Sequence, residues 1–194
     1  MTLDQSGARI GRRGVTLIEL LIVVTIIGIV AAIAMPRIDF TRIRVDTAMQ
    51  SAGTTFLAAQ RLAVSRQHDV VIMFDVANSS IRIHEDVDGD GTIGAGERTR
   101  GYDLGDLVVY GLGGAPAHAV GANPITFTQA RNGFPALTFH RNGSASEFGG
   151  VYFTSRRATL GSGLSKDTRL LQVERSTGRT AWFRYMASGW TQGF

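Results

Sequence analysis

The 194-residue sequence contains no cysteine and a single lysine, Lys166. The absence of cysteine excludes disulfide bonds, thiolate metal sites, iron–sulfur clusters and a cysteine nucleophile. Aromatic residues make up only 8% of the chain and charged residues 19%, whereas hydrophobic residues make up 44%. This composition supports a packed core and excludes wholesale disorder. Once an N-terminal segment is set aside, the length fits one domain of ordinary size.

Sequence motifs of enzyme active sites are also absent. The four histidines are scattered, without H-E-x-x-H or H-x-H spacing; they are His68, His84, His118 and His140. The chain has no G-x-S-x-G nucleophile elbow, no P-loop and no complete G-x-G-x-x-G. The sequence therefore predicts a protein that is not an enzyme and that requires no cofactor.

One long apolar run is present, at residues 15–35, and Glu19 is its only charged residue. A helix of this length rises about 31 Å, close to the hydrocarbon thickness of a bilayer. Three arginines within residues 9–13 precede it and place the short N-terminus in the cytoplasm. We therefore expect a single-pass helix in the bacterial inner membrane, with the rest of the chain in the periplasm. A secretory signal peptide is the alternative, but its apolar region is shorter, and here a helical pattern continues beyond Pro36.

Glu19 needs an explanation, because a carboxylate inside an apolar span costs about 2.5–3.5 kcal/mol on insertion scales. Cleavage of the chain after Gly14 would create a free amine on Val15, one helical turn away from Glu19. The same amine on a neighbouring copy is a second partner, which would make Glu19 a determinant of assembly. A neutral carboxylic acid near the membrane interface is the third interpretation.

The segment from Gly14 to Glu19, which reads GVTLIE, resembles the leader junction of type IV pilins and type II secretion pseudopilins. In that family a prepilin peptidase cuts after the glycine, the new N-terminus is methylated, and a glutamate stands fifth in the mature chain. The resemblance implies a cleaved leader at residues 1–14 and N-methylation of Val15. It also implies that Glu19 pairs with an N-terminal amine in a filament. The usual first mature residue is phenylalanine, whereas this chain has valine.

Beyond the apolar run, residues 36–66 continue the helical pattern with one apolar stripe, and we expect Pro36 to kink the helix rather than end it. From residue 67 the period changes to two, which indicates short strands separated by turns. The predicted strands are 70–74, 81–84, 107–110, 125–127, 136–139, 151–154, 170–174 and 180–185. The glycine- and alanine-rich residues 111–123 are predicted to be a mobile surface loop.

These patterns predict an α+β fold, in which a long N-terminal transmembrane α-helix continues into a globular antiparallel β-sheet domain at residues 67–194. That domain resembles the GspH/FimT minor pseudopilins in residues 150–153 and in the hairpin that ends at Gly178 and Arg179. The resemblance implies a pilin-like structural subunit of the type II secretion pseudopilus, which takes part in protein secretion across the outer membrane. Its partners would be other pseudopilins or pilins, through the N-terminal helix, and prepilin peptidase. The alternative is a FimT-like minor pilin of a type IV pilus, with a role in pilus biogenesis or DNA uptake.

Residues 86–97 fit the twelve-residue calcium loop D-x-[DN]-x-[DN]-G-x₅-E at every specified position. Ca²⁺ takes about six to eight oxygen ligands, which explains why acids recur at alternate positions. The predicted ligands are Asp86, Asp88, Asp90, the carbonyl of Thr92, and Glu97. The flanking segments are predicted strands, so the loop would not lie between two helices. A structural Ca²⁺, a solvated acidic turn without a metal, and a site for another metal are the three interpretations.

The net charge of +4 is distributed unevenly, because residues 98–194 carry eleven basic and five acidic groups, a net charge of +6. Five arginines in this half are candidates for contacts with DNA phosphates. They are Arg156, Arg157, Arg175, Arg179 and Arg184. The resemblance permits this role, since FimT-like minor pilins that take up DNA use a basic C-terminal region. However, strands send alternate side chains to opposite faces, so DNA is not the favoured partner.

Overall fold

The computed structural model describes residues 14–34, 39–161 and 163–193. The chain forms two compact units, Met1–Asp39 and Phe40–Phe194. The kink predicted at Pro36 and the leader residues before Gly14 lie outside the described residues.

Helix α1, Leu17–Ala34, begins directly after Thr16, whose hydroxyl caps its first turn. The Glu19 amide donates to Thr16 Oγ1 at 3.2 Å, and the Leu20 amide donates to the Thr16 carbonyl at 3.1 Å. The threonine hydroxyl thus satisfies one of the amides for which a first turn has no helical acceptor. Within the described ranges, no helix has both the length and the hydropathy that a membrane span requires.

Helix α2, Phe40–Arg66, buries one face. The buried residues are Val45, Ala48, Met49, Ala52, Gly53, Thr55, Phe56, Ala59 and Ala63. They recur at three or four positions, so the predicted apolar stripe is confirmed. The helix ends just before Gln67, which adopts a left-handed φ of 59° and turns the chain into the first strand.

Ten strands follow α2 in the described part of the chain. They are β1 (Asp69–Asp75), β2 (Ser80–Asp86), β3 (Thr99–Asp103), β4 (Val108–Tyr110), β5 (Ala130–Arg131), β6 (Phe134–Phe139), β7 (Gly149–Ser155), β8 (Arg169–Val173), β9 (Thr180–Met186) and β10 (Gly189–Gln192). Helix α3 (Arg156–Leu160) and a 3₁₀ turn (Ser165–Asp167) connect β7 to β8. The strands form two five-stranded antiparallel sheets, sheet A in the order β3-β2-β1-β6-β5 and sheet B in the order β10-β9-β8-β7-β4. The predicted α+β fold is confirmed.

The strand predictions failed mainly at the sheet edges. Strands β3, β5 and β10 were not predicted, and each is the edge strand of its sheet. All five residues of β3 are exposed, so its sequence carries no alternation between apolar and polar residues. The strand predicted at 125–127 is wrong, because only a single bridge joins Ile125 to Val151 there.

The core forms where α2 packs against both sheets. Alternate residues of β1, namely Val70, Ile72 and Phe74, face this core from sheet A. The Phe56 ring of α2 lies 5.9 Å from the Phe74 ring and 6.3 Å from the Phe139 ring, measured between centroids. From sheet B, the Trp182 ring lies so close to Gly53 that a β-carbon at Gly53 would come within 2.3 Å of it. Close approach of helix and sheet therefore requires glycine at this position.

Candidate functional site

The predicted cleavage bond between Gly14 and Val15 lies in an exposed segment before α1. Val15 is 70% exposed, and Gly14 is exposed as well. Glu19 lies in the first turn of α1 with an exposed side chain. Both the bond and the carboxylate are thus accessible at the N-terminal end of the described chain.

The acidic loop, residues 86–97, is organised by its own carboxylates. The Asp86 side chain accepts hydrogen bonds from the Gly89 and Gly91 amides at 2.8 and 3.0 Å. Both glycines have positive φ, 77° and 71°, which explains why glycine follows the acids in this sequence. Glu97 accepts from the Val87 amide at 2.8 Å and the Gly94 amide at 2.7 Å. These hydrogen bonds close the loop on itself.

Three of the five predicted calcium ligands converge. Carboxylate oxygens of Asp86, Asp88 and Glu97 all lie within 4.8 Å of one another. The Asp90 carboxylate instead accepts from the Thr92 amide at 2.7 Å and from its hydroxyl at 2.8 Å. The hydrogen bonds to Thr92 lower the pKa of Asp90, and the Gly94 and Val87 amides lower the pKa of Glu97. The converging groups are carboxylate oxygens, the donors that hard cations prefer.

His84 is a buried neighbour of this loop that the sequence motif does not include. Its Nε2 atom lies 3.1 Å from the Thr92 carbonyl and 3.1 Å from Glu97 Oε2. Because both neighbours are acceptors, Nε2 must carry the ring proton and donate it. His84 therefore contacts both Glu97 and the Thr92 carbonyl, which the calcium pattern assigns to the metal.

The candidate DNA-binding arginines do not form one cluster. Arg169 is paired with Arg184 at one end of the β8–β9 ladder, and Val173 is paired with Thr180 at the other. Four residue steps of strand separate these ends by about 13 Å. Arg156, Arg157 and Arg184 belong to the first end, while Arg175 and Arg179 lie in the turn beyond the second.

The first end of sheet B contains a buried ion-pair network that sequence analysis missed. The Asp167 side chain is fully buried and accepts hydrogen bonds from Arg42 Nε at 3.1 Å, Arg157 Nε at 2.9 Å and Ser155 Oγ at 2.6 Å. Burial raises the pKa of Asp167, but the hydrogen bonds from Arg157, Ser155 and Arg42 outweigh it and hold the pKa below its usual range. A second pair, Arg169 Nε to Asp46 Oδ1 at 2.5 Å, also joins α2 to sheet B. The Arg157 guanidinium thus forms an ion pair that stabilises the fold.

Residues 111–123 are held to the outer face of sheet B by an aromatic cluster. The His118 ring lies 4.5 Å from the Phe183 ring and 5.7 Å from the Trp190 ring. The Tyr152 hydroxyl donates to the Gly121 carbonyl at 2.7 Å and accepts from the His118 amide at 2.8 Å. Trp190 Nε1 donates to the Pro116 carbonyl at 3.0 Å. Residues 111–123, which were predicted to be a mobile loop, are thus attached to sheet B at several points.

The N-terminus of the chain matches a known sequence motif. Residues 9–35 match the prokaryotic N-terminal methylation motif, which confirms the methylation motif predicted at the leader junction. No curated protein matches the chain.

Two structures of the minor pseudopilin EpsH from the type II secretion system of Vibrio cholerae show low similarity to this chain. One has 13% identity and a TM-score of 0.36, over 77% of this chain and 94% of that chain. The other has 12% identity and a TM-score of 0.37, over 78% and 97%.

Proposed function

We propose that this protein is a minor pseudopilin, a structural and non-enzymatic subunit of the type II secretion pseudopilus. Its apolar segment would anchor it in the bacterial inner membrane, with the sheet domain in the periplasm. The observation that carries the proposal is the methylation motif at residues 9–35. In this sequence the motif combines a basic leader, the Gly14–Val15 junction and a glutamate at the fifth position after it.

Assembly would use α1, because nearly its whole surface is apolar and exposed. Its large apolar residues are all about half exposed or more, from Val23 at 49% to Leu17 at 84%. Glu19 is the one ionisable group between residues 14 and 34. Once the chain is cut after Gly14, pairing of Glu19 with the Val15 amine of a neighbouring copy would neutralise both charges in an apolar setting and fix the register of the helices.

Mass spectrometry of the protein purified from membranes tests the processing step. We expect a chain that begins at Val15 and carries one added methyl group. A chain that retains residues 1–14, or that is cut at another bond, would contradict the proposal. For the assembly step, Glu19→Ala should insert into the membrane but reduce filament incorporation about tenfold or more, since a buried charge pair is lost. Thr25→Ala, which removes the other strongly polar side chain of α1, serves as the control and should assemble normally.

The second candidate function is a FimT-like minor pilin that captures DNA, and it is supported by the net charge of +6 on residues 98–194. The arginines fall into two groups about 13 Å apart, at the two ends of the β8–β9 ladder, rather than in one cluster. A gel shift with the full chain in detergent separates the two functions. DNA binding that weakens steeply with salt, and that Arg175→Ala with Arg179→Ala abolishes, would support the pilin function.

We also propose that the acidic loop binds a structural Ca²⁺ through Asp86, Asp88 and Glu97, with water completing the shell. Their convergence supports this, because three carboxylates so close together repel one another without a cation. At a free concentration one hundred times its dissociation constant, Ca²⁺ would stabilise the fold by about 2.7 kcal/mol. A thermal melt with and without chelator measures this. Glu97→Gln should reduce the difference and Asp106→Asn, at an exposed position, should keep it in full.

A further inference from the structure

A small polar cavity lies on the outer face of sheet A, beneath the acidic loop. The register of the sheet pairs Asp69 with Asp86 and Val71 with Thr138, so these four side chains share one face. The cavity has a volume of about 160 Å³. It is lined by sheet residues, by the Gly89–Gly91 part of the loop, and by Gln129 and Arg131.

Three buried polar atoms without a hydrogen-bond partner belong to residues that line this one cavity. They are Thr138 Oγ1, Gln129 Oε1 and Arg131 Nε, half of the six such atoms among the described residues. Thr138 is only 5% exposed, so its hydroxyl has little access to bulk solvent. Buried polar groups are normally paired, and an unpaired one is unfavourable. Their concentration at one cavity indicates a site built to hold something polar.

The charge of the lining indicates a cation. Asp69, Asp86 and Asp90 contribute three carboxylates, and Arg131 contributes one guanidinium. Asp69 and Asp86 are directly opposite each other on neighbouring strands, an arrangement that is unfavourable for like charges. His140 Nδ1 lies 2.8 Å from Asp69 Oδ2 and offsets part of this repulsion. The free acceptors at the cavity, an amide oxygen and a hydroxyl oxygen, are hard ligands like the carboxylates.

We propose that this cavity binds a hydrated divalent cation of the Ca²⁺ class, with oxygens from Asp86, Thr138 and Gln129 as protein ligands. A water molecule has a share of liquid volume of about 30 Å³, so the cavity accommodates an ion together with several waters. An open cleft of about 460 Å³ shares Asp69, Asp86, Gly89 and His140 with the cavity, so the two adjoin. We call this the inner site. It shares Asp86 with the proposed loop site but uses neither Asp88 nor Glu97.

Calcium stoichiometry of the full chain in detergent, measured by equilibrium dialysis, tests the inner site. We expect two Ca²⁺ per wild-type chain and one in Thr138→Val, which replaces the unpaired hydroxyl with a methyl group of the same shape. Asp88→Asn should also bind one, and the double variant none. Thr154→Val is the matched control, because Thr154 is a fully buried threonine of sheet B whose hydroxyl is paired with Thr168, and it should bind two. Circular dichroism checks that each variant is folded.

The variants distinguish failure of the inner site from failure of the loop site. Wild-type stoichiometry and affinity in Thr138→Val would overturn the inner site, and the cavity would then hold water only. A single ion that Asp88→Asn removes and Thr138→Val retains would overturn the inner site and support the loop site. A single ion that Thr138→Val removes and Asp88→Asn retains would support the inner site and contradict the loop site.

Discussion

Helices α1 and α2 are both rich in small and apolar residues, yet α1 exposes its large apolar side chains and α2 buries one face. In α1 every large apolar side chain with a described environment is about half exposed or more, whereas α2 buries nine residues against two sheets. Exposure of so much apolar surface is unfavourable in water. Burial against the rest of its own domain therefore stabilises α2, whereas α1 buries none of its large apolar side chains with a described environment. The comparison predicts that matched substitutions in the two helices have different effects.

The largest difference is expected between Phe56→Ala in α2 and Ile26→Ala in α1. Phe56 is fully buried, and its loss should lower the free energy of unfolding of the sheet domain by about 3–5 kcal/mol. Ile26 is 54% exposed, and its loss should change that free energy by less than about 0.5 kcal/mol. Urea unfolding of the full chain in detergent, followed by tryptophan fluorescence, measures both, because Trp182 and Trp190 lie in sheet B. Equal losses from the two variants would refute the division of roles.

The next effect concerns the ion pairs that join α2 to sheet B. Asp167→Asn removes a buried negative charge from between Arg42 and Arg157, and should cost about 3 kcal/mol. The same unfolding experiment measures the cost, with Asp106→Asn as the exposed control. If both variants unfold like the wild type, the network does not hold α2 in place.

The pH dependence of the same network has a definite sign. The pKa of Asp167 is lower in the folded state than in the unfolded chain, where an aspartate titrates near about 3.9. Its contribution is therefore fully present above that unfolded pKa and is lost as the pH falls through the lower folded pKa. Stability of the wild type should fall more steeply with acid than stability of Asp167→Asn. Parallel acid unfolding curves would contradict this assignment.

The two helices also show what sequence reasoning reaches and what it does not. The stripe of α2 was predictable because burial against a sheet imposes its period on every third or fourth residue, and strands with one buried face alternate for the same reason. Edge strands such as β3 lack that constraint, which is why they were missed. The network at Asp167 was also missed, since Arg42 and Asp167 are 125 residues apart and no local pattern links them.

The candidate site was predictable only in part. The calcium pattern identifies five ligand positions, and three of them converge because Asp86, Asp88 and Glu97 face one another across the closed loop. The remaining two are the Thr92 carbonyl and Asp90. The Thr92 carbonyl contacts His84, and Asp90 accepts a hydrogen bond from the Thr92 hydroxyl; the calcium pattern encodes neither contact. The inner site depends on cross-strand register and on the return of residues 129–131, which spacing along the chain does not reveal.

One glycine in each helix allows the same comparison of α1 with α2, with smaller expected changes in stability. Gly53→Ala would place a methyl group against the Trp182 ring and should cost about 1–3 kcal/mol through overpacking. Gly28→Ala meets nothing within 4 Å and should stabilise α1 by about 1 kcal/mol, because alanine is the better helix former. Urea unfolding measures the first effect and amide exchange of α1 in detergent the second. A stabilising Gly53→Ala would mean that helix propensity, not contact with sheet B, limits α2.

The smallest expected effect lies at the start of α1, where stability is local rather than supplied by the sheets. Thr16→Ala removes the hydroxyl that accepts from the Glu19 amide and should cost about 1 kcal/mol in the first turn. Amide exchange of Glu19 and Leu20 in detergent should then be about fivefold faster, while Thr16→Ser should keep the wild-type rates because serine also caps helices. Exchange within β1 should be the same in all three proteins, since no part of that strand depends on this cap. Unchanged exchange at Glu19 in Thr16→Ala would show that the apolar environment, and not the cap, fixes where α1 begins.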